Sequence, residues 1–400
     1  MKAEPFEVKV PEADLDDLRF RLANTRWADD LGNRDWRYGV EREWLADMLA
    51  YWCTDYDWCV HERTINRLAN FRVVIDGVPL HVVHVRSPNP GAVPLLLLHG
   101  WPWTFMDFQA LIDPLSDPGS HRGRVLDSFD VIIPSLPGFG FSTPLTQTGL
   151  AVPRLAELFA TLMTAVLGYQ RYAVGGGDWG AVISLQIAHA HPQQVIGAFA
   201  TIPFYPGLDL AAITDEQYAS DEQWMLARKA ETRDLISSHF TVQSLDPQTL
   251  AYALVDSPAG TAAWLWERRR AWSDCDGDLL SAYTRDFLCT LASIYWLTRT
   301  IGTSLRIYWE SYRFDPFRRL HDRTPAVEVP AGFAIHPKEV MLVPRSVAAA
   351  GTNLQRWSLM PRGGHFGFAE QPGALVEEFR TFFRPLRPQM LPGTIFATPD

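Results

Sequence analysis

Val174-Gly175-Gly176-Gly177-Asp178-Trp179-Gly180 is the stretch that decides how this chain is read. Tyr172, Ala173 and Val174 before it form a short apolar run suited to a buried strand, and Ala181 to His191 after it is mostly apolar and helix-compatible. The chain must therefore turn sharply between strand and helix. Gly176 and Gly180, two residues to either side of the aspartate, leave room for the backbones to crowd together. A strand-turn-helix elbow with this spacing exposes the residue at its apex as a nucleophile, and here Asp178 stands where a serine is usual. Taken alone the stretch also fits a glycine-rich turn with a solvated aspartate, so the partners must be sought elsewhere.

An aspartate that attacks carbon forms an ester, and a base must then aim water at the ester carbonyl. His365, in Arg362-Gly363-Gly364-His365-Phe366, follows the strand pattern Leu354 to Met360 and is the candidate. A base needs a carboxylate to fix its tautomer and stabilise its charged form. Glu339 follows the strand pattern Val329 to Ile335 in the equivalent place, with Glu328 and Asp322 as competitors. His99-Gly100-Trp101-Pro102 closes the apolar run Val93 to Leu98. The backbone amides of Trp101 and Trp179 are expected to form an oxyanion hole, with both indoles at the site and outside the core.

The remaining pattern predicts an α/β protein. Residues 1–70 read as an amphipathic helical region that wraps the core, with Leu15, Leu18 and Leu22 on one stripe. A first part of the core spans 71–202. It has strands at Phe71 to Ile75, Leu80 to Val85, Val93 to Leu98 and Phe129 to Ile133, and a helix from Pro153. Residues 203–325 lose the strand pattern and read as a helical lid, with helices at Asp215 to Ser238, Pro247 to Val255, Ala259 to Trp272 and Tyr283 to Thr298. The core resumes over 326–386, and 387–400 is read as a surface arm.

Composition narrows the function. A formal charge of -10 opposes nucleic-acid binding, and Arg268-Arg269-Arg270 reads as a solvated helix face. Four dispersed cysteines lack the spacing of a zinc site or a disulfide scaffold and suit a reducing compartment. His81 and His84 should fall on opposite strand faces, and His189 and His191 should point apart on a helix, so no metal site is expected. No secretory or membrane-spanning run is present, and the expectation is a cytoplasmic protein.

The three motifs, with the N-terminal segment, resemble the α/β-hydrolase epoxide hydrolases of the microsomal branch, from about Phe6 to about Leu386. The resemblance implies an α/β-hydrolase fold: a mostly parallel eight-stranded sheet flanked by helices, under a helical lid. It implies Glu339 as the acid, no cofactor, and lid tyrosines that bind and protonate the epoxide oxygen. Tyr308, in Leu305-Arg306-Ile307-Tyr308-Trp309-Glu310, matches one tyrosine. Counting back from Asp256-Ser257-Pro258 puts His239 in the place of the other, so His239, Trp101 and Trp179 are expected to line the pocket. Trp224, Trp264, Trp266, Trp272 and Trp296 suggest a bulky apolar or aromatic epoxide, and a homodimer is what the family suggests. The alternatives are a haloalkane or haloacid dehalogenase with the same nucleophile and a non-catalytic ligand-binding relative.

Overall fold

Val93–Leu98, buried at all six positions, lies at the centre of the sheet. In the computed structural model, which describes residues 2–314 and 322–389, the strands are β1 (Glu4–Pro5), β2 (Asn70–Ile75), β3 (Val78–Val85), β4 (Val93–Leu98), β5 (Phe129–Pro134), β6 (Tyr172–Gly176), β7 (Val195–Ala200), β8 (Val327–Ile335) and β9 (Thr352–Leu359). They form one sheet in the order β1-β2-β3-β5-β4-β6-β7-β8-β9. β1, β2, β3 and β5 pair antiparallel. From β5 to β9 every pairing is parallel. The sheet thus has nine strands where eight were expected. The ninth, β1, is two residues paired to Phe71 and Arg72, too short to leave a period in the sequence. β7 carries no clear strand signal either, because Val195-Ile196-Gly197-Ala198-Phe199-Ala200 is rich in small residues and lacks turn signals of its own.

Helices α1 (Glu12–Ala23), α2 (Arg42–Thr54) and α3 (Trp58–Asn66) precede the sheet, and residues 24–41 between them are irregular, so the first seventy residues are not helical throughout. Within the core, α4 (Gln109–Ser116), α5 (Val152–Thr161) and α6 (Trp179–Ala190) follow in order. The segment between β7 and β8 supplies α7 (Gln223–Leu245), α8 (Pro247–Leu254), α9 (Pro258–Trp272), α10 (Arg285–Leu297) and α11 (Ile301–Phe314). The last three helices are α12 (Arg345–Gly351), α13 (Gly367–Glu370) and α14 (Pro372–Phe383). α5 packs on α6 and α14 on α4, covering the parallel strands as strands buried on both sides require. The arm expected at 387–400 lies outside the described residues from 390 onward.

In the insertion, the helix expected from Asp215 begins at Gln223. Residues 215–222 form short turns instead, capped by Gln217 on the Thr214 amide (2.8 Å) and Glu222 on the Ala219 amide (3.2 Å). α11, which carries Tyr308, is a helix beyond the four expected in this segment. The N-terminal aromatics pack on this insertion. The Trp52 indole donates to Ser293 Oγ (2.9 Å), the Tyr51 hydroxyl donates to Asp286 (2.7 Å), and the Trp44 and Trp52 rings meet Trp266.

The arginine run is not a solvated face. Arg268 and Arg269 are buried, and only Arg270 reaches outward, over the Trp36 ring. Arg269, fully buried with its partner Asp107, donates to that carboxylate and to the Pro102 carbonyl (3.4 Å), and it lies 4.0 Å over the Phe366 ring. Consecutive helix positions point about 100° apart, so a run of like residues need not share an environment. Arg269→Ala would leave Asp107 as a buried charge without its partner. It is expected to destabilise the fold by about 3–5 kcal/mol, read as a shift in the denaturant midpoint at unchanged slope.

Candidate active site

Asp178 follows β6 and caps α6 with φ 52° and ψ -130°. A non-glycine residue held in so sparsely populated a conformation stores about 1–3 kcal/mol of strain, which the surrounding packing must offset. The packing is close. A Cβ on Gly180 would sit 1.8 Å from the Leu98 carbonyl oxygen, and one on Gly100 would sit 2.1 Å from Asp178 Oδ1. β4 and β6 are neighbours, so the loop after β4 reaches the aspartate directly, and the Trp101 amide donates to Asp178 Oδ1 at 2.8 Å. His99 braces that loop by accepting from the Leu136 amide on Nε2 (3.0 Å). The Trp179 amide opens α6, where the helix ladder offers it no acceptor.

His365 and Glu339 come from the loops after β9 and β8. His365 Nδ1 donates to Glu339 Oε1 at 2.8 Å. Its Nε2 stands 3.2 Å from Asp178 Oδ2, an ion-pair distance at which the Asp178 charge acts directly on the imidazole. Glu339 Oε1 also accepts from the Val340 (2.7 Å) and Met341 (3.1 Å) amides, which fixes the carboxylate. Burial would lower the His365 pKa, but Glu339 and Asp178 outweigh it and the pKa is raised. Burial works against the Glu339 charge as well, and the His365 charge and these hydrogen bonds hold its pKa below the ordinary value. The competing carboxylates lie elsewhere: Glu328 is near the opposite end of β8, and Asp322 is exposed, and both bond Arg323.

The insertion closes over these groups. Tyr308 on α11 is 3% exposed, with its ring edge-on to Trp179 (5.0 Å between centroids). Burial, then the Asp178 charge, raises its pKa well above the phenol value, so the hydroxyl keeps its proton. His239 on α7 stacks on Trp101 (5.5 Å, 5°) and meets Tyr308 edge-on at 5.5 Å. Its Nδ1 is buried without a hydrogen-bond partner. Burial, then the charges of Arg268 and His365, lowers its pKa well below the usual value, leaving a neutral imidazole.

A cavity of about 410 Å³ joins these residues. Asp178, Trp179, His239, Trp272, Tyr308 and His365 line its reactive end, and Val182, Ile202, Phe204, Leu210, Ile213 and Leu342 give apolar walls. Two expectations are corrected. Trp101 and Trp179 are both buried, and the Trp101 indole lies behind His239 and does not line the cavity. Of Trp224, Trp264, Trp266, Trp272 and Trp296, only Trp272 lines it. Trp264 and Trp266 donate instead to Gln243 (2.9 Å) and the Leu288 carbonyl (3.0 Å). The wall residues from 202 to 213 carry no signal in the sequence beyond being apolar.

The described residues contain no helix long and apolar enough to cross a membrane and no cluster of three or more His, Cys, Asp or Glu placed to hold a metal. Residues 3–108 match the family described as "Epoxide hydrolase N terminus", and residues 93–273 match "alpha/beta hydrolase fold". The chain is 32% identical over 409 residues to epoxide hydrolase 1 of Sus scrofa, covering 96% of this chain and 89% of that one. The chain belongs to the epoxide hydrolases. It is also 39% identical over 385 residues to a Stigmatella aurantiaca protein described as "Putative epoxide hydrolase", covering 96% of this chain and 85% of the other. The crystal structure of juvenile hormone epoxide hydrolase from Bombyx mori superposes with a TM-score of 0.88 at 29% identity, covering 98% of this chain and 96% of that one. The α/β-hydrolase fold and the microsomal-type resemblance thus agree with sequence and structural relatives across nearly the whole epoxide hydrolase chain.

Proposed function

We propose that this epoxide hydrolase opens an epoxide to a vicinal diol through an ester on Asp178. The observation that carries the reading is the convergence, in one apolar cavity, of a strained carboxylate, a carboxylate-paired histidine and a buried phenol. Asp178 attacks an epoxide carbon, the carbon-oxygen bond breaks, and Tyr308 gives its proton to the leaving oxygen. Ester formation removes one of the two carboxylate charges that hold the proton on His365. That proton then restores Tyr308, and the neutral imidazole, oriented by Glu339, takes a proton from water as the water attacks the ester carbonyl. The Trp101 and Trp179 amides would receive the charge that develops on the carbonyl oxygen. As that tetrahedral intermediate collapses, the bond from the carbonyl carbon to the substrate oxygen breaks and the departing oxygen takes the proton of the added hydroxyl. The diol leaves behind the Asp178 carboxylate and protonated His365. These side chains and water supply every atom and proton of the reaction.

The helical insertion acts as a lid, and its walls favour a bulky apolar or aromatic epoxide. The four cysteines are all free thiols, which fits a reducing cytoplasm. Homodimer assembly follows from the resemblance, and sedimentation at assay concentration tests it. A panel of epoxides with chiral analysis of the diols tests the activity, alongside chlorinated and brominated alkanes. Diol formation without halide release is expected, whereas halide release without diol would establish the dehalogenase reading.

Two substitutions test the lid side of the cavity. Tyr308→Phe is expected to lower kcat/KM by about 10²- to 10³-fold with folding preserved, since only a hydroxyl is lost. His239→Ala is expected to change turnover and the ratio of carbons attacked. Because His239 is neutral at and above its ordinary pKa of 6.5, removing it should leave the limbs of the pH profile in place from neutral pH upward. Unchanged turnover and unchanged regiochemistry would remove His239 from the site.

A further inference from the structure

The loop that presents His365 hangs on groups the proposed reaction does not use. Every backbone amide from Gly363 to Phe366 finds an acceptor outside that run. Gly363 donates to Asp274 Oδ2 (2.9 Å), Gly364 to Glu370 Oε2 (3.0 Å), His365 to the Trp272 carbonyl (2.8 Å) and Phe366 to Glu370 Oε1 (3.0 Å). Glu370 Oε2 also accepts from the Asp274 amide at 2.7 Å. Trp272 and Asp274 mark the end of α9 in the insertion, and Glu370 belongs to α13 in the core. One carboxylate therefore grips the two amides on either side of His365 and ties both to the insertion backbone.

The carboxylate is held there against its solvation. Burial pushes the Glu370 pKa up to about 7 although three amides and Arg269 favour the charged form. A neutral side chain would avoid that penalty, but it would accept these amides more weakly, because hydrogen bonds to an ionised acceptor are shorter and roughly twice as strong. The imidazole has little latitude. It must keep Nδ1 on Glu339 at 2.8 Å while Nε2 faces Asp178 at 3.2 Å, and a misplacement of about 1 Å can lower a rate about 100-fold.

We propose that Glu370 is a positioning residue for the base, its carboxylate fixing the His365 loop between core and insertion so that the imidazole can direct water at the Asp178 ester. The proposal rests on the reading of His365 as the base of ester hydrolysis. Its consequence is kinetic asymmetry. Loosening the loop slows the second half-reaction, which uses His365 as a base, and spares the first, in which Asp178 attacks.

Single-turnover reactions of the full-length enzyme with an epoxide from the panel, quenched and analysed for the ester on Asp178 by mass spectrometry, separate the two halves. For Glu370→Gln we expect alkylation within about threefold of the unmodified rate and ester hydrolysis slowed about 10- to 100-fold, so that ester accumulates. Asp274→Ala, which leaves the Glu370 contacts to Gly364 and Phe366 in place, should show the same asymmetry more weakly and serves if Glu370→Gln does not fold. The reference is His365→Gln. If His365→Gln accumulates ester while the Glu370 variant slows both halves equally, or neither, Glu370 is merely structural and the proposal fails while the base reading stands. If no variant accumulates ester, His365→Gln included, the base reading fails and takes the proposal with it.

Discussion

Replacing Asp178 with asparagine is expected to lower diol formation by about four orders of magnitude or more while leaving the fold and epoxide binding in place. An amide has the same shape and can still accept from the Trp101 amide through its oxygen, the contact that Asp178 Oδ1 now makes at 2.8 Å. It cannot act as a carboxylate nucleophile. Losing the charge also removes one of the two carboxylates that raise the His365 pKa, so the histidine of the variant should titrate lower, which NMR of the imidazole would register. Thermal unfolding and binding of an unreacted epoxide check that the loss lies in chemistry and not in folding. Activity within tenfold of the unmodified enzyme would exclude Asp178 as nucleophile.

His365→Gln should fail at the other half of the reaction. One epoxide per site is consumed, and steady diol release falls by about 10³-fold or more, because Asp178 and Tyr308 are untouched and only the attack of water lacks its base. The free enzyme holds His365 protonated, and that does not obstruct the cycle, since a base is required only after ester formation has removed the Asp178 charge. The same coupling sets a stability window. The pKa of His365 is raised on folding, so its contribution is fully present below its ordinary value near 6.5 and is lost as pH climbs through the raised value. Glu339 has a lowered pKa, and its contribution is lost as pH falls through that lowered value. Between about pH 6.5 and pH 9 the unfolding free energy should fall more steeply in the unmodified enzyme than in His365→Gln, whereas above 9.0 the buried Cys289 thiol adds a decline to both.

What could be read from the sequence was what short stretches fix locally. The elbow was legible because Gly176 and Gly180 are required by the approach of the Leu98 carbonyl, whatever the rest of the chain does. The Gly-Gly-His loop and the glutamate after the preceding strand were legible because strand ends on one edge of a parallel sheet converge, so chain order translates into proximity. Features decided by long-range packing were not legible. Arg269 looks like part of a solvated run until α9 is seen turning it onto Asp107 and Phe366. The Trp101 indole looks like a pocket wall until α7 is seen placing His239 in front of it. β1 exists only because Phe71 and Arg72 lie beside it. The insertion tryptophans are indistinguishable in sequence, and only helix orientation brings Trp272 to the cavity while Trp264 and Trp266 bond within the insertion.

The central claim is that the diol oxygen passes through the enzyme. A single turnover in heavy-oxygen water, with enzyme in excess over epoxide, tests it most directly. An ester hydrolysed at its carbonyl leaves one oxygen from water in the Asp178 carboxylate and transfers an unlabelled enzyme oxygen to the diol, so the account predicts label in the peptide containing Asp178 and an unlabelled diol. Label found only in the diol after that first turnover would mean that water attacks the epoxide directly, and the ester mechanism would be wrong.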